Sequence, residues 1–294
     1  MEQAFGLIGF GEAGRTFATA GAWASRARVF DIKTLLLQHR ADKLADYAAA
    51  GVAGQDNMAD TVDGADILLS LVTADQALVA AQASARLLKR GTLYCDMNSV
   101  APQTKLAAAK LIEAAGGHYV DVAVMAPVDP ARLAVPLLLS GVRASGAAER
   151  LAALGFTSIR VVGEAVGRAS SVKMIRSVMV KGLEALTAEC LVAAEAAGVR
   201  DEVLASLDAS ETSRHWDARA DYHLDRMMVH GLRRAAEMEE VVKTLDHLGT
   251  GSAMTRVTVA CQRAIGALRM PLIPEGLAPK LAALAIPSRQ GEAA

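Results

Sequence analysis

Gly9, Gly11 and Gly14 stand in the order Gly-x-Gly-x-x-Gly, directly after the apolar run Ala4–Gly9. That spacing suits a phosphate cradle: Gly9 permits a tight turn, Gly11 lets backbone approach a pyrophosphate, and Gly14 lets the next helix pack closely on the strand. The anion then meets free N–H groups at a helix N-terminus, with Phe10, Glu12 and Ala13 completing the loop. A second run, Arg28–Asp31, ends in a carboxylate twenty residues after Gly11. An acid at that place bonds the hydroxyls of an adenosine ribose. Asp31 repels a 2′-phosphate, which favours NAD over NADP, and Lys33 offsets part of that charge. Val72 and Thr73 follow the run Asp66–Leu71 and are expected on the nicotinamide side of the same cradle.

A nicotinamide takes or gives a hydride, so the protein has to handle the accompanying proton. Lys173 fits that task. It lies early in the long apolar stretch Ala169–Gly198, and burial lowers a lysine pKa by destabilising the charged form. Without a ligand, the same residue reads as a lysine snorkelling from a buried helix. Arg176 is three residues on, hence on the same face, and is a candidate for a substrate carboxylate or an ion pair. Ser99 follows the run Thr92–Asp96, where open α/β sheets bind ligands. Its hydroxyl is the candidate substrate anchor, Asn98 is the side-chain alternative, and an N-cap for the helix starting at Pro102 is the structural reading. His215, His223 and His230 lack supporting carboxylate spacing, so no metal site is expected.

These residues need elements to hold them. Short runs rich in Val, Ile, Leu and Tyr alternate with Ala-rich helical stretches up to about residue 165, which predicts βαβ units and a parallel sheet. Weaker strand signals follow at Pro136–Ser140 and Ser158–Val162, around a helix at Ala144–Leu154. From Ala169 to Gly198 apolar residues surround most of a helix circumference, predicting a beam about 40 Å long. The rest reads as helical: Asp201–Ala209, Tyr222–Leu248 with a break at Gly231, and Ser252–Leu268, ended by Pro271 and Pro274. The expected fold is an α/β Rossmann-type domain over residues 1–165. An all-α domain for substrate and dimerisation follows over 166–294, with the active site in the cleft.

Composition removes other classes. Lys+Arg is 31 and Asp+Glu is 32 over 294 residues, so there is no basic excess for nucleic acid. At 52% apolar the chain is not disordered. No apolar run reaches the ~18 residues of a membrane span, and the start Met1-Glu2-Gln3-Ala4 lacks a signal-peptide pattern. Cys95, Cys190 and Cys261 form no CxxC pair, as expected of reduced thiols in a cytoplasmic protein.

The segment Gly163-Glu-Ala-Val-Gly167-Arg-Ala-Ser-Ser-Val-Lys173-Met-Ile-Arg176-Ser177 narrows the choice. It resembles the Gly-x-x-Gly-x-Gly…Lys-x-x-x-Asn segment of the β-hydroxyacid dehydrogenases, the group that includes 6-phosphogluconate and 3-hydroxyisobutyrate dehydrogenases. Asp96-Met-Asn98-Ser99-Val-Ala-Pro102 is similar to that family's Asp-x-Ser-Thr-x-x-Pro, and Tyr119–Val124 to its strand before the substrate loop. His230-Gly-Leu-Arg233-Arg234-Ala-Ala-Glu237 is similar to a poorly characterised 6-phosphogluconate-dehydrogenase-like branch. The resemblance implies an NAD(P)-dependent dehydrogenase or reductase acting on a 3-hydroxy acid or related alcohol. It implies Lys173 as acid/base and a homodimer formed through the helical domain.

The departures carry information. Ser177 stands where the family often has Asn, and Met125-Ala126-Pro127-Val128 replaces its Ser-Gly-Gly loop, which points to a more apolar substrate acid. Val180 stands seven residues after the lysine, where the decarboxylating enzymes place Glu, so decarboxylation is not expected. An imine reductase of similar architecture and a non-catalytic NAD(P)H-binding sensor are the rival readings.

Overall fold

The computed structural model describes residues 5–210 and 216–284; His215 lies outside them. Strand β1 (Phe5–Ile8) is buried at every position, as are β4 (Ile67–Ser70) and β7 (Leu137–Ser140). Continuous burial is what a sheet covered on both faces demands. With β2 (Ala27–Phe30), β3 (Ala53–Gly54), β5 (Leu93–Asp96), β6 (His118–Val124) and β8 (Ile159–Gly163), they form one sheet in the order β3-β2-β1-β4-β5-β6-β7-β8. All neighbours run parallel except β6 and β7, which pair antiparallel. Their connection holds only a short 3-10 turn, Arg132–Ala134, and a parallel pair would have required a full crossover.

Helices α1 (Glu12–Ala20), α2 (Leu37–Ala50), α3 (Met58–Val62), α4 (Ala77–Ala85), α5 (Pro102–Ala114) and α6 (Ala144–Ala153) connect the strands. Two apolar clusters cover the sheet. One packs Phe5, Phe17, Trp23 and Phe156, with Phe5–Trp23 and Phe17–Phe156 meeting edge-on at 5.0 Å. Trp23 satisfies its indole N–H on Leu154 O at 2.8 Å. The other packs Ile8, Leu68, Tyr94, Ala108, Ile112 and Tyr119. β3 and α3 went unpredicted because two residues and one turn leave no readable period. Asn57 starts α3 by accepting from Asp60 N.

The long helix α7 runs Arg168–Ala196. The chain divides into compact units Met1–Val178 and Met179–Ala294, so the division falls inside α7 rather than at the expected 165/166. The second unit adds α8 (Arg200–Ser210), α9 (Trp216–Leu248), α10 (Ala253–Gly266) and α11 (Leu277–Leu284). Two expectations are corrected there. α9 is not broken at Gly231, because Gly231 is where α9 and α10 touch backbone to backbone: a Cβ on it would meet Gln262 O, and Gly266 Cα at 2.9 Å. Pro271 and Pro274 do not end the helical region, since α11 forms beyond them. None of the described helices is long and apolar enough to cross a membrane.

Candidate active site

The strand order reverses between β1 and β4, so the loops after these strands diverge and leave a crevice. A cavity of about 560 Å³ opens there. Of the predicted coenzyme residues, Gly9, Gly11, Glu12 and Ala13 line it after β1, Asp31 and Lys33 after β2, and Val72 and Thr73 after β4. Phe10 and Gly14 belong to the same loop without lining the cavity. The Phe10 side chain is core, packed 5.2 Å from the Tyr47 ring, and Gly14 is buried beneath the loop. Apolar walls that the motif reading missed come from Ile32 and Leu35 on one side and Val79, Ala83 and Leu87 on the other.

The three glycines serve three different needs. Gly9 has φ +90, and a Cβ there would strike the Leu71 carbonyl. A Cβ on Gly14 would come within 2.7 Å of Gly9 O. Gly11 has an ordinary φ of −82, and a Cβ there would meet nothing within 4 Å. Nothing in the protein demands glycine at Gly11. Close approach of a ligand to its backbone does, and a dinucleotide fits this cradle.

Asp31 is held as well as holding. Its Oδ2 accepts from Phe10 N at 2.7 Å and its Oδ1 from Lys33 N at 2.9 Å. Asp31 N donates to Tyr47 Oη at 2.8 Å. Burial raises the Tyr47 pKa above its ordinary value, keeping the phenol neutral.

Below the crevice lies a buried polar network. Lys105, Asp96 and Asp121 have side chains at 0% exposure. Lys105 Nζ donates to Asp96 O at 2.6 Å and Asp96 Oδ1 at 2.8 Å, and lies 3.5 Å from Asp121 Oδ1. Tyr119 donates to Asp96 Oδ2 at 2.6 Å; burial first, and the Asp96 charge next, raise its pKa so that it remains a donor. Asp121 Oδ2 accepts from both Ser170 N and Ser170 Oγ at 2.9 Å. Ala169 N donates to Ser140 Oγ at 3.0 Å. The first N–H groups of α7, left unsatisfied by the helix itself, are thus tied to β6 and β7.

Asn98 extends the network upward. Its N–H donates to Asp96 Oδ1, its side-chain oxygen accepts from Val72 N at 2.7 Å, and its side-chain nitrogen donates to Ser70 Oγ at 3.0 Å. At 4% exposure, with both ends of the amide occupied, Asn98 holds the loop after β4. Ser99 is exposed between buried neighbours. It does not cap α5, whose N-cap is Ala101 with no side-chain bond.

Lys173 is partly buried, one turn after the anchored Ala169 and Ser170. A Cβ on Gly167, just before the helix, would lie 3.3 Å from Pro102 Cβ, so α7 begins against the start of α5. Ala169 packs with Ala123, Leu138 and Met125, and Arg176 Nη1 reaches Met125 O at 3.4 Å. Ser177 donates to Lys173 O at 2.9 Å, which leaves its lone pairs as what it can offer a ligand. Lys173, Arg176 and Met125 therefore share one neighbourhood. Cys95, inside the sheet on β5, is inert: burial pushes its thiol up to about 12.

Comparison with known proteins follows the same lines. A family model described as the NAD binding domain of 6-phosphogluconate dehydrogenase matches residues 4–160. One described as a domain of unknown function (DUF1932) matches residues 194–265. The crystal structure of a conserved hypothetical protein from Sinorhizobium meliloti 1021 is 37% identical at a TM-score of 0.60, covering 96% of this chain and 97% of that one. A conserved protein of unknown function, its structure described as similar to 3-hydroxyacid dehydrogenases, is 29% identical at 0.57, covering 90% and 98%. An imine reductase from Pseudomonas sp. is 17% identical at 0.71, covering 97% and 100%, and at that identity shows a common fold alone. The first family model spans more than half of the chain and contains the glycine loop, Asp31 and the loop after β4. The chain belongs to the NAD(P)-binding oxidoreductases of the 6-phosphogluconate dehydrogenase-like family.

Proposed function

We propose that this protein is an NAD-dependent dehydrogenase, or reductase in the reverse direction, for a 3-hydroxy acid or related alcohol, with Lys173 as general acid/base. The observation that carries the reading is the anchoring of α7: Asp121 and Ser140 fix its first turn, and Lys173 stands one turn beyond. An acid/base group has to be held within hydrogen-bond reach of the proton it moves. A bound nicotinamide supplies the hydride acceptor or donor. In oxidation Lys173 Nζ takes the hydroxyl proton; in reduction it returns it. Ser99, exposed at the end of β5, and Arg176, beside Met125, are assigned to the substrate carboxylate. Met125, packed against Ala169, makes that end apolar.

The preference for NAD rests on charge. Among the described residues lining the cavity, Glu12 and Asp31 are anionic and Lys33 alone is cationic. A further phosphate dianion meets net repulsion there.

The test is absorbance-monitored turnover with NAD and NADP on hydroxy acids, aldehydes and cyclic imines, beside fluorescence titration of the coenzyme. Lys173→Met is expected to lose about 10²–10⁴-fold in turnover and to keep coenzyme affinity. Full turnover by that variant sinks the assignment of Lys173. Turnover of imines alone favours an imine reductase, and coenzyme binding with no turnover favours a sensor.

A further inference from the structure

The Phe10 peptide is gripped from two sides. Its N–H donates to Asp31 Oδ2 at 2.7 Å. Its carbonyl accepts from Lys43 Nζ at 2.8 Å. Lys43 comes from α2, thirty-three residues along the chain, and its side chain is only 12% exposed. The same ammonium donates to Asp46 Oδ2 at 2.7 Å, and Asp46 Oδ1 accepts from Arg15 Nη1 of α1 at 3.2 Å. The Lys43 hydrogen bond leads the causes that hold Asp46 below its ordinary carboxyl value, outweighing burial.

A trans peptide unit is planar, and its C=O and N–H point in opposite directions. The Phe10 carbonyl and the Gly11 N–H are the two ends of one such unit. With the carbonyl aimed at Lys43, the Gly11 N–H faces the other way. Gly11 lines the cavity, a Cβ on it would meet nothing within 4 Å, and its N–H donates to no backbone acceptor among the described residues. A cation on the carbonyl also polarises the amide and makes its N–H a stronger donor.

We infer that Lys43 is a positioning residue for the pyrophosphate of the coenzyme: it aims and polarises the Gly11 N–H through the Phe10–Gly11 peptide, without touching the ligand. This rests on reading the cavity as the dinucleotide site. A simple brace between α2 and the loop would share the hydrogen bonds but would not act selectively on phosphate-bearing ligands.

The experiment compares wild type with Lys43→Met and Lys43→Arg. NADH is titrated by fluorescence, ADP-ribose and adenosine by displacement of NADH, and the Gly11 amide 15N resonance is read in the ligand-free protein. In Lys43→Met, dissociation constants for NADH and ADP-ribose are expected to rise about tenfold. Adenosine, which lacks phosphate, keeps its affinity, and the Gly11 15N resonance moves because the hydrogen bond to its peptide carbonyl is gone. Lys43→Arg keeps a cationic donor and recovers most of the affinity. NADH affinity equal to wild type in Lys43→Met, or equal weakening of all three ligands, overturns the inference. Wild-type protein that binds no dinucleotide overturns the coenzyme reading and this inference with it.

Discussion

In the unit that ends at Val178, Lys105, Asp96 and Asp121 sit inside, packed under the crevice at 0% exposure. In the unit from Met179 onward, ion pairs such as Arg200–Glu195 and Arg256–Asp246 lie mostly in solvent. Lys280 is a nearly buried cation among the described residues there, and its partners Asp221 and Asp225 are themselves partly exposed. The hydrogen bond that Lys280 Nζ donates to Asp221 Oδ1 is the main cause raising the Lys280 pKa. The contrast separates two ways of fixing geometry. The sheet unit uses directional bonds in a low-dielectric interior, each of which sets an angle as well as a distance. The helical unit uses close backbone contact, with charge left to solubility. A site that moves protons and seats a dinucleotide needs the first kind.

The sharpest way to break this comparison is Lys105→Met. It removes one cation from between two carboxylates and leaves both buried. Truncating one partner of a buried pair costs about 3–5 kcal/mol, and a urea midpoint of the purified variant measures it. A loss below about 1 kcal/mol, the value of an exposed pair, means the network does not organise the sheet unit. Loss of coenzyme affinity is expected alongside, because Asp96 holds Asn98 and Asn98 holds Val72 N.

Much of the sheet unit was legible because its code is local. The run Ala4–Gly9 meets its glycines at once, and Asp31 closes a strand of readable period. The network was not legible. Asp96, Lys105 and Asp121 are spread over three elements and match no spacing rule, and Lys105 in Pro102-Gln-Thr-Lys105 reads as an ordinary solvated helix lysine. Asn98 lies on the expected loop, and its bonds to Val72 N and Ser70 Oγ were not readable, since sequence does not say which way a side chain turns. Lys43 was invisible for the same reason as Lys105. In the helical unit the reading failed at Gly231, where low helix propensity argued for a break and a helix crossing supplied the reason for the glycine.

Gly231→Ala sharpens the other side of the comparison, at a smaller expected effect. On an exposed helix this change stabilises by up to about 1 kcal/mol. Here the added Cβ would meet Gln262 O, and Gly266 Cα at 2.9 Å, so α9 and α10 must separate. Overpacking of this kind costs about 1–3 kcal/mol. Thermal unfolding gives the sign directly: a raised midpoint denies the close crossing, and a lowered one supports it.

The smallest effect concerns a place where the helical unit borrows the method of the sheet unit. Glu189 of α7 caps the start of α10: its Oε2 accepts from Met254 N, and its Oε1 from Thr255 N and Thr255 Oγ1, at 2.9, 2.9 and 2.6 Å. Burial works against the Glu189 charge, but these bonds, led by Thr255 Oγ1, outweigh it and hold its pKa below the ordinary value. A carboxyl depressed in the folded state stabilises at pH above its unfolded value and loses that contribution as pH falls through the folded one. Glu189→Gln keeps one acceptor oxygen and turns an amide toward a donor, so it is expected to cost about 1 kcal/mol at neutral pH. The gap in urea midpoint between wild type and variant is then expected to narrow as pH drops below about 4.5, the ordinary value for this carboxyl. A gap that stays constant down to full protonation assigns the loss to shape alone. A gap that closes shows that a charged cap supports α10 much as Asp121 supports α7, with the difference that Glu189 does so near solvent and for less.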